Sequence, residues 1–195
     1  MNKWLEPIEL IGKHVTLTPL KFKHKDELVK AVSDGKLWEL WYTLVPSAET
    51  IDGYIASALE QFEKGTSLAF VVIENQSGKI IGCTRFCRAT KEDRRVEIGY
   101  TWYAKSYQRT AVNTECKYLM LKHAFETWQC IAVEFRTHWH NHQSRNAIAR
   151  LGAKQDGILR NHRIMANGNY RDTVVFSIIE GEWPEVKQSL AFRLK

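Results

Sequence analysis

The chain has 195 residues, 44% of them hydrophobic, and a formal net charge of +6 from 28 Lys and Arg against 22 Asp and Glu. That length suits one well-packed domain and is short for two, so a single domain over 1–195 is expected, with its core at about 13–181 and a helical tail at 182–195. The apolar segments are too short to span a bilayer, no repeat or low-complexity run occurs, and Met1-Asn-Lys-Trp-Leu-Glu-Pro lacks the apolar core of a secretory signal, which points to a cytoplasmic protein without a membrane partner.

Lys13-His-Val-Thr-Leu-Thr-Pro-Leu20 alternates polar and apolar residues and reads as an early strand, followed by a helix from Lys23 to about Ser33. Lys36 to Pro46 is irregular and aromatic, with Trp38, Trp41 and Tyr42, and Ser47 is the expected N-cap of a second helix reaching Lys64. Ser67–Glu74 and Lys79–Phe86 flank Asn75-Gln-Ser-Gly78 as a hairpin, and Val96–Ala104 supplies a third consecutive antiparallel strand. The pattern then turns to alternation. A helix from about Thr110 to Thr127 precedes a strand at Ile131–Thr137, and a helix from about Gln143 to Leu151 is closed by Gly152. Strands at about Ala153–His162 and Tyr170–Ile179 flank the turn Asn167-Gly168, before a last helix from Glu182 to Phe192 that could cap the core or meet a second copy in a homodimer. Together these elements predict an α+β fold, a central mixed and mostly antiparallel sheet of about seven strands flanked by four to five helices.

Cys83, Cys87, Cys116 and Cys130 form no C-x-x-C pair and read as reduced, buried thiols. His138, His140 and His142 alternate, but the strand carrying them ends near His138, so a shared face and with it a metal site is not expected. Between Arg136 and Arg163 six basic residues face one acid, Asp156. Such an excess suits an anionic ligand. A nucleic-acid partner would call for a long basic helix or lysine tract, and neither occurs.

Val96 to Glu115 reads as a strand running into a phosphate-sized turn and then a helix, the order in which backbone N–H groups are presented to a polyphosphate. Glu115, Lys117, Lys122 and Glu126 form the polar strip of that helix, which is otherwise apolar and fixes its own N-terminus by burial. Thr110 is its expected N-cap, and Lys105 and Arg109 place positive charge nearby.

Four segments in order, Glu97-Ile-Gly-Tyr100, Tyr107-Gln-Arg-Thr-Ala-Val-Asn-Thr-Glu115, Asn141-x-x-Ser144-x-Asn-Ala-Ile148 and Leu151-Gly-Ala-Lys-x-x-Gly-Ile-Leu159, resemble the GNAT superfamily of N-acetyltransferases. The likeness covers most of the chain and is nearest the branch of the ribosomal-protein N-terminal acetyltransferases. It implies an acetyl-CoA-dependent N-acetyltransferase without a metal, moving the acetyl group to a small-molecule or peptide amine by direct attack in a ternary complex. The family's pyrophosphate turn, Q/R-x-x-G-x-G/A, stands here as Gln108-Arg-Thr-Ala111-Val-Asn113, with both glycines replaced. Ala111 adds a methyl; Asn113 adds an amide that can donate to phosphate and tolerates left-handed backbone.

The resemblance assigns cofactor binding to Gln108, Arg109, Thr110, Ala111, Val112, Asn113 and Thr114, to the backbone of Thr101 and Trp102, and to Asn141. Glu97 is the candidate base, or else a structural carboxylate paired with Arg94, Arg95 or Arg136. Ser144 is the candidate proton donor to the departing thiolate, or else a helix N-cap. Trp38, Trp41 and Tyr42 are candidate walls of the acceptor site, or else core. Arg160, His162, Arg163 and Arg171 would suit a carboxylate-bearing acceptor, or else are solvated surface. A non-catalytic acetyl-CoA-binding or nucleic-acid-associated module on the same fold is the alternative function.

Overall fold

The computed structural model describes residues 4–165 and 167–195, so the opening Met1-Asn-Lys lies outside the described residues. Eight strands form one sheet: β1 (Leu10–Ile11), β2 (Val15–Pro19), β3 (Leu68–Glu74), β4 (Ile80–Thr90), β5 (Arg95–Tyr103), β6 (Ala132–His138), β7 (Lys154–Ile164) and β8 (Tyr170–Ile179). Their spatial order is β1-β2-β3-β4-β5-β6-β8-β7. All neighbours are antiparallel except β5 and β6. Five α-helices accompany them: α1 (Lys25–Ser33), α2 (Ile51–Glu63), α3 (Ala111–Lys122), α4 (His142–Arg150) and α5 (Trp183–Arg193). The mixed, mostly antiparallel sheet is the expected one. The strand beyond the expected seven is β1, two residues long and too short to show an alternating pattern.

The two faces of the sheet hold separate cores. On one, Val112, Cys116, Met120 and Leu121 of α3 and Trp183, Val186 and Leu190 of α5 pack on Val15, Phe70, Phe86, Ile98 and Phe135. On the other, Leu28, Val32, Ile51 and Ile55 of α1 and α2 pack on Ala69, Val71, Cys83 and Trp102. Each fully buried side chain of this size contributes roughly 1.5–3 kcal/mol. The last helix therefore caps the core, with Trp183 stacked on Phe125 at 5.3 Å between ring centroids.

Two expectations fail for identifiable reasons. Glu115 and Lys117 are buried, not part of a solvated strip. Glu115 accepts three backbone N–H groups, from Lys13 (2.9 Å), His14 (2.6 Å) and Val15 (2.8 Å), and so ties α3 to the start of β2. Gly12 is required there, because a Cβ would sit 2.6 Å from the Glu115 carboxyl carbon. Ser47 is not the cap of α2, which begins at Ile51 after Thr50; the Thr50 hydroxyl instead accepts the Ser47 N–H at 2.8 Å.

Candidate active site

The one parallel pairing creates an opening. β5 and β6 are in register only over Arg95–Glu97 with Ala132–Glu134, yet β5 continues to Tyr103 and β6 to His138. The cause lies in β5. Tyr100 has φ +51° and is the extra residue of a bulge, since Cys83 pairs with Trp102 while Arg85 pairs with Gly99. A bulge bends its strand and ends regular pairing. A cleft of about 660 Å³ fills the gap.

The bulge also swaps the faces that β5 presents. Val96 and Ile98 join the α3 core, so Glu97 lies toward the α1–α2 side; beyond the bulge Trp102 joins the α1–α2 core, and Thr101 turns toward α3. There the buried Lys117 ammonium donates to the hydroxyls of Thr101 (2.6 Å) and Thr84 (2.9 Å). Burial pulls the Lys117 pKa down from the ordinary lysine value. Lys117 lies four residues after Asn113, which puts both on one face of α3, and both line the cleft.

The turn before α3 differs from the expectation in where its strain lies. Thr110 caps the helix, its hydroxyl accepting the Val112 N–H at 3.3 Å and donating to the Tyr107 carbonyl at 2.8 Å. The left-handed residue is Arg109, with φ +61°, at a cost of roughly 1–2 kcal/mol for a side-chain-bearing residue. Ala111 and Asn113 are both helical, so neither replaced glycine requires left-handed backbone. Gln108 turns back to donate to the Tyr103 carbonyl at 3.1 Å, locking the turn to the end of β5. Gln108, Arg109, Thr110 and Asn113 line the cleft, whereas Ala111 and Val112 border a separate depression beside His14. Thr114 lines neither. Lys105 also falls away from the cleft, its N–H bonded to the Asp34 carbonyl at 2.9 Å.

Asn141 and Ser144 line the cleft at the start of α4. Asn141, not Ser144, is the N-cap: its side-chain oxygen accepts the Ser144 N–H at 3.0 Å. Glu97 is 7% exposed. Its Oε2 lies 3.1 Å from Arg88 Nε and 3.5 Å from Arg136 Nε, but neither approach has hydrogen-bond geometry and the oxygen has no donor among the described residues. Burial raises its pKa above the ordinary carboxylate value, with Arg88 and Arg136 opposing that rise. Arg95 is engaged by Glu134 at 2.6 Å, so of the three arginines weighed from sequence only Arg136 reaches Glu97. Arg88 escaped notice because it is itself a bulge residue, φ +50°, which breaks the parity by which strand neighbours are counted.

The aromatic segment before α2 divides. Tyr42 lines the cleft, Trp41 is 55% exposed with its ring edge-on to His138 at 5.0 Å, and Trp38 packs against the α1–α2 core. All four cysteines are buried and unpaired.

Residues 14–154 match the acetyltransferase (GNAT) domain, and the chain belongs to that family of enzymes. No curated protein matches it in sequence. Among solved structures, a GCN5-related N-acetyltransferase from Brucella melitensis is 29% identical with a TM-score of 0.88, over 98% of this chain and 87% of that one. Mycobacterium smegmatis RimJ in complex with CoA-disulfide shares the fold at 21% identity and TM-score 0.76, over 92% and 88% of the two chains. The ribosomal-protein-S5-alanine acetyltransferase from Vibrio fischeri shares it at 15% identity and TM-score 0.71, over 90% and 98%.

Proposed function

We propose that the enzyme is an acetyl-CoA-dependent N-acetyltransferase in which a primary amine attacks the thioester directly. The observation that carries this reading is the buried Glu97 carboxylate, its Oε2 accepting no hydrogen bond, in the cleft where β5 and β6 part and which Asn113 in the first turn of α3 also lines. The likeness to a RimJ solved with a CoA derivative supports the choice of cofactor.

In this reading the first-turn N–H groups of α3, which lack intrahelical acceptors, seat the pyrophosphate, with the Asn113 amide and Arg109 beside it. The pantetheine arm lies along β5 after Gly99, where the bulge leaves backbone unpaired toward β6, and backbone N–H groups of Thr101 and Trp102 polarise the thioester carbonyl. Asn141 borders the same arm. Glu97 takes a proton from the incoming ammonium, the free amine forms the C–N bond, the C–S bond breaks, and the Ser144 hydroxyl protonates the thiolate while taking up the second proton that the nitrogen loses as it becomes the amide. The raised Glu97 pKa favours this, since a more basic carboxylate is a better acceptor for that proton. Tyr42 and Trp41 shape the acceptor side, and the protein works in the cytoplasm as one domain. A thiol-release assay with acetyl-CoA across amino acids, peptides, polyamines and aminoglycosides tests the reading. Release that requires both an amine and acetyl-CoA is expected; its absence with every amine contradicts it.

A further inference from the structure

The face of the sheet that carries Glu97 is covered by α1 and α2 only as far as β5; over β6, β8 and β7 it is left to charged side chains. Glu134, Arg136 and His138 alternate on β6 with Val133 and Phe135, which belong to the opposite core. On β8, Thr173 pairs with His138, and two residues back Arg171 sits opposite Arg163 of β7. Of these, Arg136, His138, Thr173, Arg171 and Arg163 line the cleft.

The charges on this face do not balance. Glu134 is shared by Arg95 (2.6 Å) and Arg136 (2.9 Å), and Glu97 is approached by Arg88 and Arg136. Arg163 and Arg171 have no carboxylate within ion-pair distance among the described residues. Asp172, the next acid along β8, is taken by the Arg160 side chain at 2.6 Å and the Asn161 N–H at 2.7 Å. Arg171 is held in place by its Nε–H donated to the Thr173 hydroxyl at 3.2 Å, and the same hydroxyl lies 3.0 Å from His162 Nδ1. Burial, then repulsion from Arg163, lowers the Arg171 pKa. His162 feels Arg163, Arg136, Arg88 and Arg171 together, and after burial they hold its pKa down. Four guanidinium groups thus act on one point of the cleft.

His138 adds a directed donor. It is 3% exposed and lines the cleft. Its Nδ1 accepts the His140 N–H at 3.1 Å, which leaves the ring proton on Nε2, and that atom is buried with no partner. The site therefore holds a buried carboxylate, Glu97, whose Oε2 is ion-paired with Arg88 and Arg136 without accepting a hydrogen bond, and a buried donor without a partner, His138 Nε2–H, beside Arg171 and the exposed Arg163. Buried polar atoms in native proteins are normally satisfied, and a carboxylate next to an unpaired donor and two arginines suits a ligand carrying both a cationic and an anionic group.

We propose that the amine accepted here also carries a carboxylate, its ammonium directed to Glu97 and its carboxylate seated on Arg171, Arg163 and His138 Nε2–H. This rests on the N-acetyltransferase reading of the cleft and narrows its second substrate to amino acids and acidic peptides, away from polyamines and aminoglycosides, whose extra cations the arginines would repel.

The test measures kcat/KM by thiol release for matched pairs: free amino acids against their primary amides, and dipeptides with Asp or Glu in the second position against those with Asn or Gln. An amide's amine is less basic and so more often neutral, which favours the amide unless the site intervenes. The expected result is at least one carboxylate member preferred over its partner by about 10-fold or more, the value of one charge-assisted hydrogen bond, with the preference shrinking as salt is raised. Arg171→Gln and Arg163→Gln should each cut the within-pair ratio; because a ratio is read, general loss through misfolding lowers both members alike and does not imitate this. Measurable turnover with amides equal to or better than carboxylates overturns the proposal and leaves the transferase reading intact. Preference for aminoalkylphosphonates over the matching carboxylates overturns the choice of carboxylate. No turnover with any amine, polyamines included, overturns both, and acetyl-CoA binding measured alongside shows whether the cofactor site fails too.

Discussion

Two halves of one sheet face carry positive charge in opposite ways. Over β3 to β5, α1 and α2 bury the surface, and its one deeply buried cation, Arg85, is met by rings and an amide: its guanidinium lies 4.1 Å from the Tyr100 ring, 5.1 Å from the Tyr54 ring and 3.3 Å from the Gln61 carbonyl. Over β6 to β8 no helix covers the face, and Arg163 and Arg171 are left facing the cleft. The first half meets its charge with rings and an amide of the fold, although Arg85 Nε has no acceptor among the described residues. The second leaves charge for something outside the fold. Glu97 stands on the boundary, where the cover ends and the strands part.

The comparison can be broken at several points. Glu97→Gln keeps the shape of the boundary and removes the proposed base, so thiol release at neutral pH should fall by about 10²–10⁴-fold, with acetyl-CoA affinity retained on calorimetry. Glu115→Ala breaks the anchor of α3 instead. It strands the N–H groups of Lys13, His14 and Val15, and unfolding in urea should show a loss of about 3 kcal/mol or more. Asn113→Ala should weaken acetyl-CoA by about 10–100-fold, one charge-assisted hydrogen bond, with little change in stability. Thr110→Ala removes the α3 cap and should cost about 1 kcal/mol of stability.

A pH experiment sharpens the role of the arginines. With Glu97 as the proposed base, activity should fall as pH drops through a pKa raised above the ordinary carboxylate value. Arg88 lowers that pKa; without its cation the carboxylate holds its proton more tightly. The acidic limb of kcat/KM against pH should therefore move to higher pH in Arg88→Ala. A limb that stays in place would separate Arg88 from the base.

Most of the fold was legible because hairpins and apolar periods announce themselves locally. The turn Asn167-Gly168, the Thr110 cap and β8 at Tyr170–Ile179 all stand where local chemistry puts them. The bulges were not legible. Nothing in the types of Arg88, Tyr100 or Arg109 announces positive φ, and at Arg88 and Tyr100 the bulge changes which face the next residue meets. Hence sequence parity does not place Arg88 beside Glu97, and the strain of the turn falls on Arg109, not on Ala111 or Asn113. Burial of Glu115 and Lys117 was equally hidden, because it depends on partners about a hundred residues away at Lys13–Val15 and on the Thr84–Thr101 pair. The spacing of Asn113 and Lys117 did hold a clue, since residues four apart share a helix face.

In the proposed function, the gap between β5 and β6 and the first turn of α3 together hold acetyl-CoA. Calorimetric titration of the intact chain with acetyl-CoA tests it most directly, with Asn113→Ala titrated in parallel. One molecule bound per chain, with affinity reduced in the variant, is the predicted result. No binding at millimolar acetyl-CoA, or equal binding by both proteins, would contradict it.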